Sequence, residues 1–558
     1  MKKSGYIILI LFGFFSCKKA LDLTPRYGFN AEVIYSDPAS YIQVLAKLYS
    51  GLSMTGIQGP AGQPDISQET IDEGFSAYVR VLWNLQELPT DEAVCGWNDP
   101  GIPTLNKMQW NAEDGWVKGM YYRIYYQITL CNEFIFQSRD EKLSQRGFSD
   151  LDIQTIQTYR NEARFLRALS YYHALDLFGS VPFVDENDRV GAFEPPQISR
   201  ENLFLYVESE LLDIENELLD ANSAPYGRAT KQAVQTLLAK MYLNAEVYIG
   251  SERYSDCINF CDEVISSNNF QLDDNYQDIF LADNNLSPEI IFPVVYDGLY
   301  TQTWGGTTFM VCASIGGDMN ASEYGVNGGW GGLRATPEFV NNFDLVEKYW
   351  VEDITNPLNP DTSLLTNLPT DPNFIVFDTI QTTDDGRFLF FQEGQQLEIT
   401  SLGNFRHGYA FPKYKNINSD GSIASNNGFS AHVDIDFPMF RLADVYLMYA
   451  ESALRKGDQA TALQYVNALR QRAYGNSNYD YTNITLEDIL DERSCELSWE
   501  GTRRTDLIRY GYFTSSSYLW SYKGGEINGT AVGDYLNLFP IPTADIVLNS
   551  NLIQNNGY

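Results

Sequence analysis

The chain has 558 residues, enough to bury a large core without disulfide staples, and length alone admits several domains or one large helical array. Its 38 basic residues stand against 73 acidic ones, a formal charge of −35 that repels nucleic acid and anionic headgroups and excludes nucleic-acid binding.

Met1-Lys2-Lys3, the apolar run 6–15 and the small Ser16 before Cys17 predict a lipoprotein signal peptide over 1–16 and a lipidated mature start at Cys17. The run is too short to cross a bilayer as a helix, and no second long apolar run follows. The remainder is therefore expected to be a body held at its membrane by acyl chains. Residues 20–25 read as a tether into a helical region over about 36–53, followed by a Gly- and Pro-rich stretch over 56–69 and loop-rich sequence over 88–114. In 160–178, Ala163, Leu166, Leu169 and Tyr172 recur at helical spacing until Gly179 and Pro182 stop the pattern. Helical pairs are predicted over 230–248 and 254–266, and again over 442–455 and 458–473 around a Lys-Gly-Asp turn, with small residues such as Ala239, Ala450 and Ala462 allowing close approach.

The predicted fold class is all-α. A tetratricopeptide-like helical scaffold over about 36–53, 117–270 and 438–512 is interrupted by irregular excursions over about 54–116 and 274–432. Loops placed by a rigid scaffold are where binding residues concentrate, so function is expected in the excursions. Aromatics make up 14% of the chain, with 37 tyrosines and 9 tryptophans. In an acidic, Asn- and Gly-rich protein this mixture suits carbohydrate, because sugar C–H faces stack on flat side chains while polar groups bond the hydroxyls.

Enzyme signatures are sparse. His173, His407 and His432 lie far apart in sequence, and no nucleophile-elbow, zinc-protease or phosphate-loop motif occurs. The cysteines after Cys17 lack zinc-like spacing and read as small apolar fillers, Cys257 and Cys261 on one helical face. Paired carboxylates for glycoside hydrolysis have candidates in Asp91, Glu92 and Glu338, against the reading of solvated surface acids. The Glu- and Arg-rich 491–509 stretch, read as a helix, predicts pairing at i, i+3 and i+4 that holds the last hairpin. Asp434 and Asp436 share one side of an extended HVDIDFP segment and, with Asp283, form a candidate calcium ligand set; the alternative is solvated loop acids.

With Cys17, LDLTP, RNEARFLRALSYYHALDLFGSVPF, FRLADVYLMYAESALRKGD, LSWEGTRRTDLIRYG and the terminal FPIPTADIVLNSNLIQNNGY, the chain resembles the SusD/RagB family of outer-membrane nutrient-binding lipoproteins over essentially its whole length. The resemblance implies four tetratricopeptide units over a 17–558 domain and a non-catalytic, cell-surface, lipid-anchored lid on a SusC-like, TonB-dependent outer-membrane transporter. DEGFSAYVR, NLQELPTDEAVCGW, WGGTTFMVCASIGG and NGGW look like the starch-binding branch, in which three aromatics cradle a curved maltooligosaccharide. The matching positions are Trp97, Trp304 and Trp330, with Trp304 in place of a tyrosine, and the hydroxyl-bonding acid and arginine match Asp72 and Arg80. After Trp97 the chain runs one residue shorter than the branch, so Asn98 or Asp99 takes the place of an asparagine contact. No cofactor is required by this resemblance, and calcium at Asp283, Asp434 and Asp436 fits the branch. Lys18 and Lys19 follow Cys17 where acids are usual, so surface exposure is inferred from the family role. The alternatives are the same lid role for another glycan or a peptide, and a surface glycoside hydrolase.

Overall fold

The computed structural model describes residues 31–58, 62–66, 76–188, 191, 193–353, 355, 361–424 and 432–558. The expected signal peptide over 1–16, Cys17 and Asp72 lie outside the described residues. No helix among the described residues is long and apolar enough to cross a membrane.

Packed helices form the body. Gly115–Gln137 packs on Asp150–Leu177, which packs on Arg200–Ile214, and Lys231–Leu243 packs on Tyr254–Ser266. Tyr254–Ser266 then packs on Leu442–Arg455, which carries Gln459–Tyr474 and Leu486–Leu497, so hairpins remote in sequence meet across the second excursion. Local chemistry sets the ends. Ser149 and Asp152 form a reciprocal capping box, as do Thr485 and Asp488, each satisfying backbone donors that a helix start leaves open. Gly475, at φ 69°, lets the chain leave Gln459–Tyr474 in the left-handed region.

Three expectations need correction. The 160–178 helix begins ten residues earlier, at Asp150, because a capping box starts it in a polar stretch where the apolar period is weak. The 230–248 helix breaks at Asn244 into Lys231–Leu243 and Ala245–Ile249. The 491–509 stretch is two helices, Leu486–Leu497 and Arg503–Arg509, separated by a turn in which Trp499 takes φ 61°.

That break redirects the charges. Apart from Arg509 with Asp506, the pairs of this segment are long-range: Arg503 reaches Asp91, Arg504 reaches Asp176, and Arg509 also reaches Glu451. Glu496 receives Arg387, Arg441 and Arg472, and every one of these side chains is at most 5% exposed. Burial would push the Glu496 carboxyl up, but the three guanidiniums outweigh it and hold the group well below the usual carboxylate range. The body is thus ion-paired at its centre, and all six described cysteines, in body and excursions alike, are free and buried.

The excursions hold more regular structure than expected. The first contains the wholly buried helix Tyr78–Glu87, and the second contains the wholly buried helix Gly306–Ala313. Val346–Asp353, Asp361–Leu365 and Phe374–Thr382 form a three-stranded antiparallel sheet with Val346–Asp353 in the centre. Ile290–Val294 pairs with Phe437–Arg441, tying the start of the second excursion to the helix that ends it. Most important for the site, Ala93–Cys95 of the first excursion pairs antiparallel with Leu333–Ala335 of the second, Cys95 opposite Leu333.

Candidate glycan-binding face

The ribbon between the two excursions brings two tryptophans together. Gly96 donates to the Gly332 carbonyl at 2.9 Å, so Trp97, just beyond one strand, faces Trp330, just before the other. Trp97 Nε1 donates to the Trp330 carbonyl at 3.2 Å, and their rings lie 6.4 Å apart at 47°. Such an approach needs a bare backbone: a Cβ at Gly332 would stand 2.4 Å from Trp97 Cε2. The third tryptophan arrives on the turn into Gly306–Ala313. The end of that helix binds the same loop, Cys312 and Ala313 accepting from the Trp330 and Gly332 N–H groups at 2.6 and 2.8 Å. This sets Trp304 6.1 Å from Trp330 at 59°.

The result is a row, Trp97–Trp330–Trp304, whose planes turn from one ring to the next. All three side chains are half-buried, each keeping part of its surface in water, and all three sit on loops. Exposed Asn98 and Asp99 flank Trp97.

Buried groups brace the row. Phe309 lies 6.0 Å from Trp97 and 5.5 Å from Trp83, which stacks edge-on to Trp499 at 5.6 Å. Arg80 is fully buried, its guanidinium 4.1 Å from the Phe309 ring centre and 5.7 Å from that of Trp97, with Nη1 donating to the Trp304 carbonyl at 3.4 Å. The position matched to a hydroxyl contact therefore lies beneath the row, steadying it by cation–π contact. Behind Trp304 lies His432, ring to ring at 4.3 Å, with Nδ1 3.2 Å from the Thr303 carbonyl and its charged form disfavoured by burial. Phe309 and His432 were not among the sequence candidates; Phe309 lies in the segment that follows Trp304, whereas His432 is remote in sequence from all three tryptophans and carried no signal for this site.

The calcium candidates are not drawn into one cluster. The Asp283 carboxylate accepts from Ser419 N and Oγ, while Asp436 accepts from Tyr226 Oη at 2.6 Å and Tyr296 N at 2.8 Å. Among the described residues no group of three or more His, Cys, Asp or Glu is arranged to hold a metal ion. Burial, then the nearby Asp434 and Asp297, pushes the Asp436 carboxyl up to about 6, against the bonds from Tyr226 and Tyr296, which lower it.

The hydrolase candidates are also structural. Asp91 is fully buried and holds Arg503 through both carboxylate oxygens, at 2.8 and 2.6 Å. Glu92 accepts from Ser494 Oγ and Trp499 N, and Glu338 from Ser521 N and Oγ. His173 is buried against Tyr78, and His407 bonds Thr400, neither in the tryptophan row.

The model of the SusD family matches residues 288–558. Starch-binding protein SusD of Bacteroides thetaiotaomicron is 35% identical, aligned over 100% of this chain and 98% of its own. SusD-like protein P25 of Formosa agariphila is 25% identical over 99% of this chain and 98% of its own. In fold, the chain is similar to a SusD-like protein from Bacteroides fragilis, with TM-score 0.67 and 21% identity over 95% of this chain and 99% of that one. It is also similar to surface glycan-binding protein A from Bacteroides fluxus, with TM-score 0.66 and 18% identity over 93% and 99%. Full-length identity to a SusD protein, the family match and the shared helical fold agree: this chain belongs to the SusD family.

Proposed function

We propose that the chain is a non-catalytic surface lipoprotein that captures starch and maltooligosaccharides on Trp97, Trp330 and Trp304 and delivers them to a SusC-like, TonB-dependent outer-membrane transporter. The observation that carries this reading is the row itself: three half-exposed indoles at centroid spacings of 6.4 and 6.1 Å with turning planes. An α-glucan chain curves, so successive glucose faces meet successive tilted rings, whereas a flat ribbon of sugar would meet only one or two. The 35% identity to a starch-binding SusD supports the α-glucan assignment.

In this reading Asp72 and either Asn98 or Asp99 bond sugar hydroxyls, while Arg80 sets the indoles from below. Cys17 carries the acyl chains that hold the protein on the outer membrane, and the helical pairs act as tetratricopeptide-like units presenting the face. Calcium, if bound, is structural and plays no part in the sugar contact.

Three stacks of about 0.5 to 1.5 kcal/mol each, less ordering costs, give affinity no tighter than about millimolar. Weak capture suits a polymer that must be released into a transporter.

The test is calorimetric titration of the protein lacking residues 1–17 with maltoheptaose and a cyclic α-glucan, beside Trp330→Ala. The expected outcome is heat from the wild type, none from the variant, and sugar recovered intact. A wild type that binds neither sugar sinks the α-glucan assignment, and shortened sugar sinks the non-catalytic one.

A further inference from the structure

The loop that carries Trp330 meets one more aromatic side chain. Phe405, half-buried, rests on Gly316 and Gly331: a Cβ at Gly316 would stand 2.9 Å from Phe405 Cδ1 and 2.8 Å from the Gly331 Cα. Gly331 directly follows Trp330, so Phe405 packs on the loop that carries that tryptophan, and the absence of a Cβ at Gly316 leaves room for its ring. With its amide oriented so that nitrogen faces the two carbonyls, Gln395 donates to Phe405 and Gly408 at 2.8 Å each and braces the loop that presents Phe405.

Next to Phe405, Arg406 and Asp318 face each other as a bidentate pair, Nη2 to Oδ1 at 2.7 Å and Nη1 to Oδ2, with Nη1 also donating to the Gly394 carbonyl at 3.0 Å. Their side chains are 44% and 48% exposed, unlike the buried pairs of the body. A pair this exposed adds little to stability, so the fold gives small reason for two ordered charges here. Its chemistry does give one: a planar guanidinium beside a carboxylate offers N–H donors and acceptor lone pairs side by side, the complement of the vicinal hydroxyls of a pyranose.

We propose that the sugar-binding row extends past Trp330 to a further subsite made by Phe405 and the Arg406–Asp318 pair, which holds glucose units of long α-glucan chains that the three indoles cannot reach. This rests on the reading of the tryptophan row as an α-glucan face. Phe405 supplies an apolar contact for one sugar, and the ion pair bonds the hydroxyls of that sugar or its neighbour. The subsite sets chain-length preference while leaving the shortest ligands untouched.

Titration of maltotriose and maltoheptaose against wild type, Asp318→Ala, Arg406→Ala and Trp330→Ala separates the two readings. The wild type should prefer maltoheptaose; Asp318→Ala and Arg406→Ala should weaken maltoheptaose by about fivefold to tenfold, the worth of one hydrogen bond, and leave maltotriose within about twofold. Trp330→Ala should weaken both sugars. Both ion-pair variants change exposed side chains, and an unchanged thermal melt shows that they fold. Equal weakening of both lengths, or none of either, overturns the subsite while the tryptophan row stands. A wild type blind to both sugars overturns the row and the subsite together.

Discussion

The helical body and the loop-built face use the same residue types to opposite ends. In the body, aromatic rings are buried and charges are paired out of water: Arg441 is 1% exposed and meets Glu289, Glu496 and Glu500. At the face, three tryptophans remain half in water, and the Arg406–Asp318 pair is nearly half exposed. Burial rather than composition separates the roles. A buried ion pair fixes the arrangement of the body at high desolvation cost, whereas half-exposed rings keep unsatisfied apolar area for a ligand.

The sharpest way to break the comparison is at the centre of the body. Arg441→Ala takes one cation from three buried carboxylates, which keep Arg387 and Arg472 at Glu496, Arg472 at Glu289 and Lys413 at Glu500, and is expected to cost about 3 kcal/mol, read as a lower denaturation midpoint at unchanged slope. Where Arg441→Ala expresses as folded protein, its sugar titration should match the wild type. A variant that binds less while melting normally would place Arg441 in the face and blur the distinction.

A second, smaller effect comes from pH. Glu92 lies where the body meets the first excursion, and burial, opposed by Arg503 and reinforced by Asp91, pushes its carboxyl from 4.5 up to about 7. Because the folded pKa exceeds the unfolded one, the proton on Glu92 stabilises the fold fully below about pH 4.5, and that contribution is lost as pH rises through about 7. The Glu451 carboxyl moves the other way. Burial raises it, but Arg509 and Arg455 prevail and bring it to about 2, so its contribution is present above about pH 4.5 and lost as pH falls toward 2. Thermal melts across pH 3 to 9 should therefore peak on the mildly acidic side. The fall between about pH 4.5 and pH 7, up to about 3 kcal/mol, should shrink in Glu92→Gln. An unchanged slope over that range in the variant would assign the fall to the net negative charge of the chain instead.

The same division explains what the sequence made legible. Tyr254–Ser266 was readable because it has one wet side, and Leu442–Arg455 because Tyr446, Tyr449 and its C-terminal end stay half-buried while the rest is buried. Tyr78–Glu87 carries a period too, with Arg80, Asn84 and Glu87 recurring on one stripe, but all ten residues are buried, so the stripe that reads as a wet side faces the interior of the protein. Asp491 to Arg509 looked like one helix with local pairs because its charges sit at helical spacing; the turn at Trp499 and the distant partners Asp91, Asp176 and Glu451 depend on tertiary contacts. At the face, the three tryptophans could be named through family resemblance, but their meeting depends on the Ala93–Cys95 and Leu333–Ala335 ribbon, too short to show an alternating pattern. Arg80 was assigned a sugar contact by that resemblance, and nothing in its local sequence marks it as buried beneath the indoles.

The finest cut between body and face falls at Gly332, which is buried like the body yet shapes the face. Its φ lies outside the left-handed region, so alanine is tolerated by the backbone, and the cost of Gly332→Ala comes from the Cβ that would stand 2.4 Å from Trp97. Trp97 must turn away, giving up its bond to the Trp330 carbonyl. Stability should fall by only about 1 kcal/mol, the scale of one lost hydrogen bond. Affinity for maltoheptaose, by contrast, should fall as far as in Trp97→Ala, because the ring is present but misplaced. The double variant supplies the proof: with Trp97 already removed, the added methyl has nothing to displace, so the two losses should not add. Additive losses would mean that Gly332 acts through the Leu333–Ala335 strand, and the face would then owe its geometry to the body beneath it.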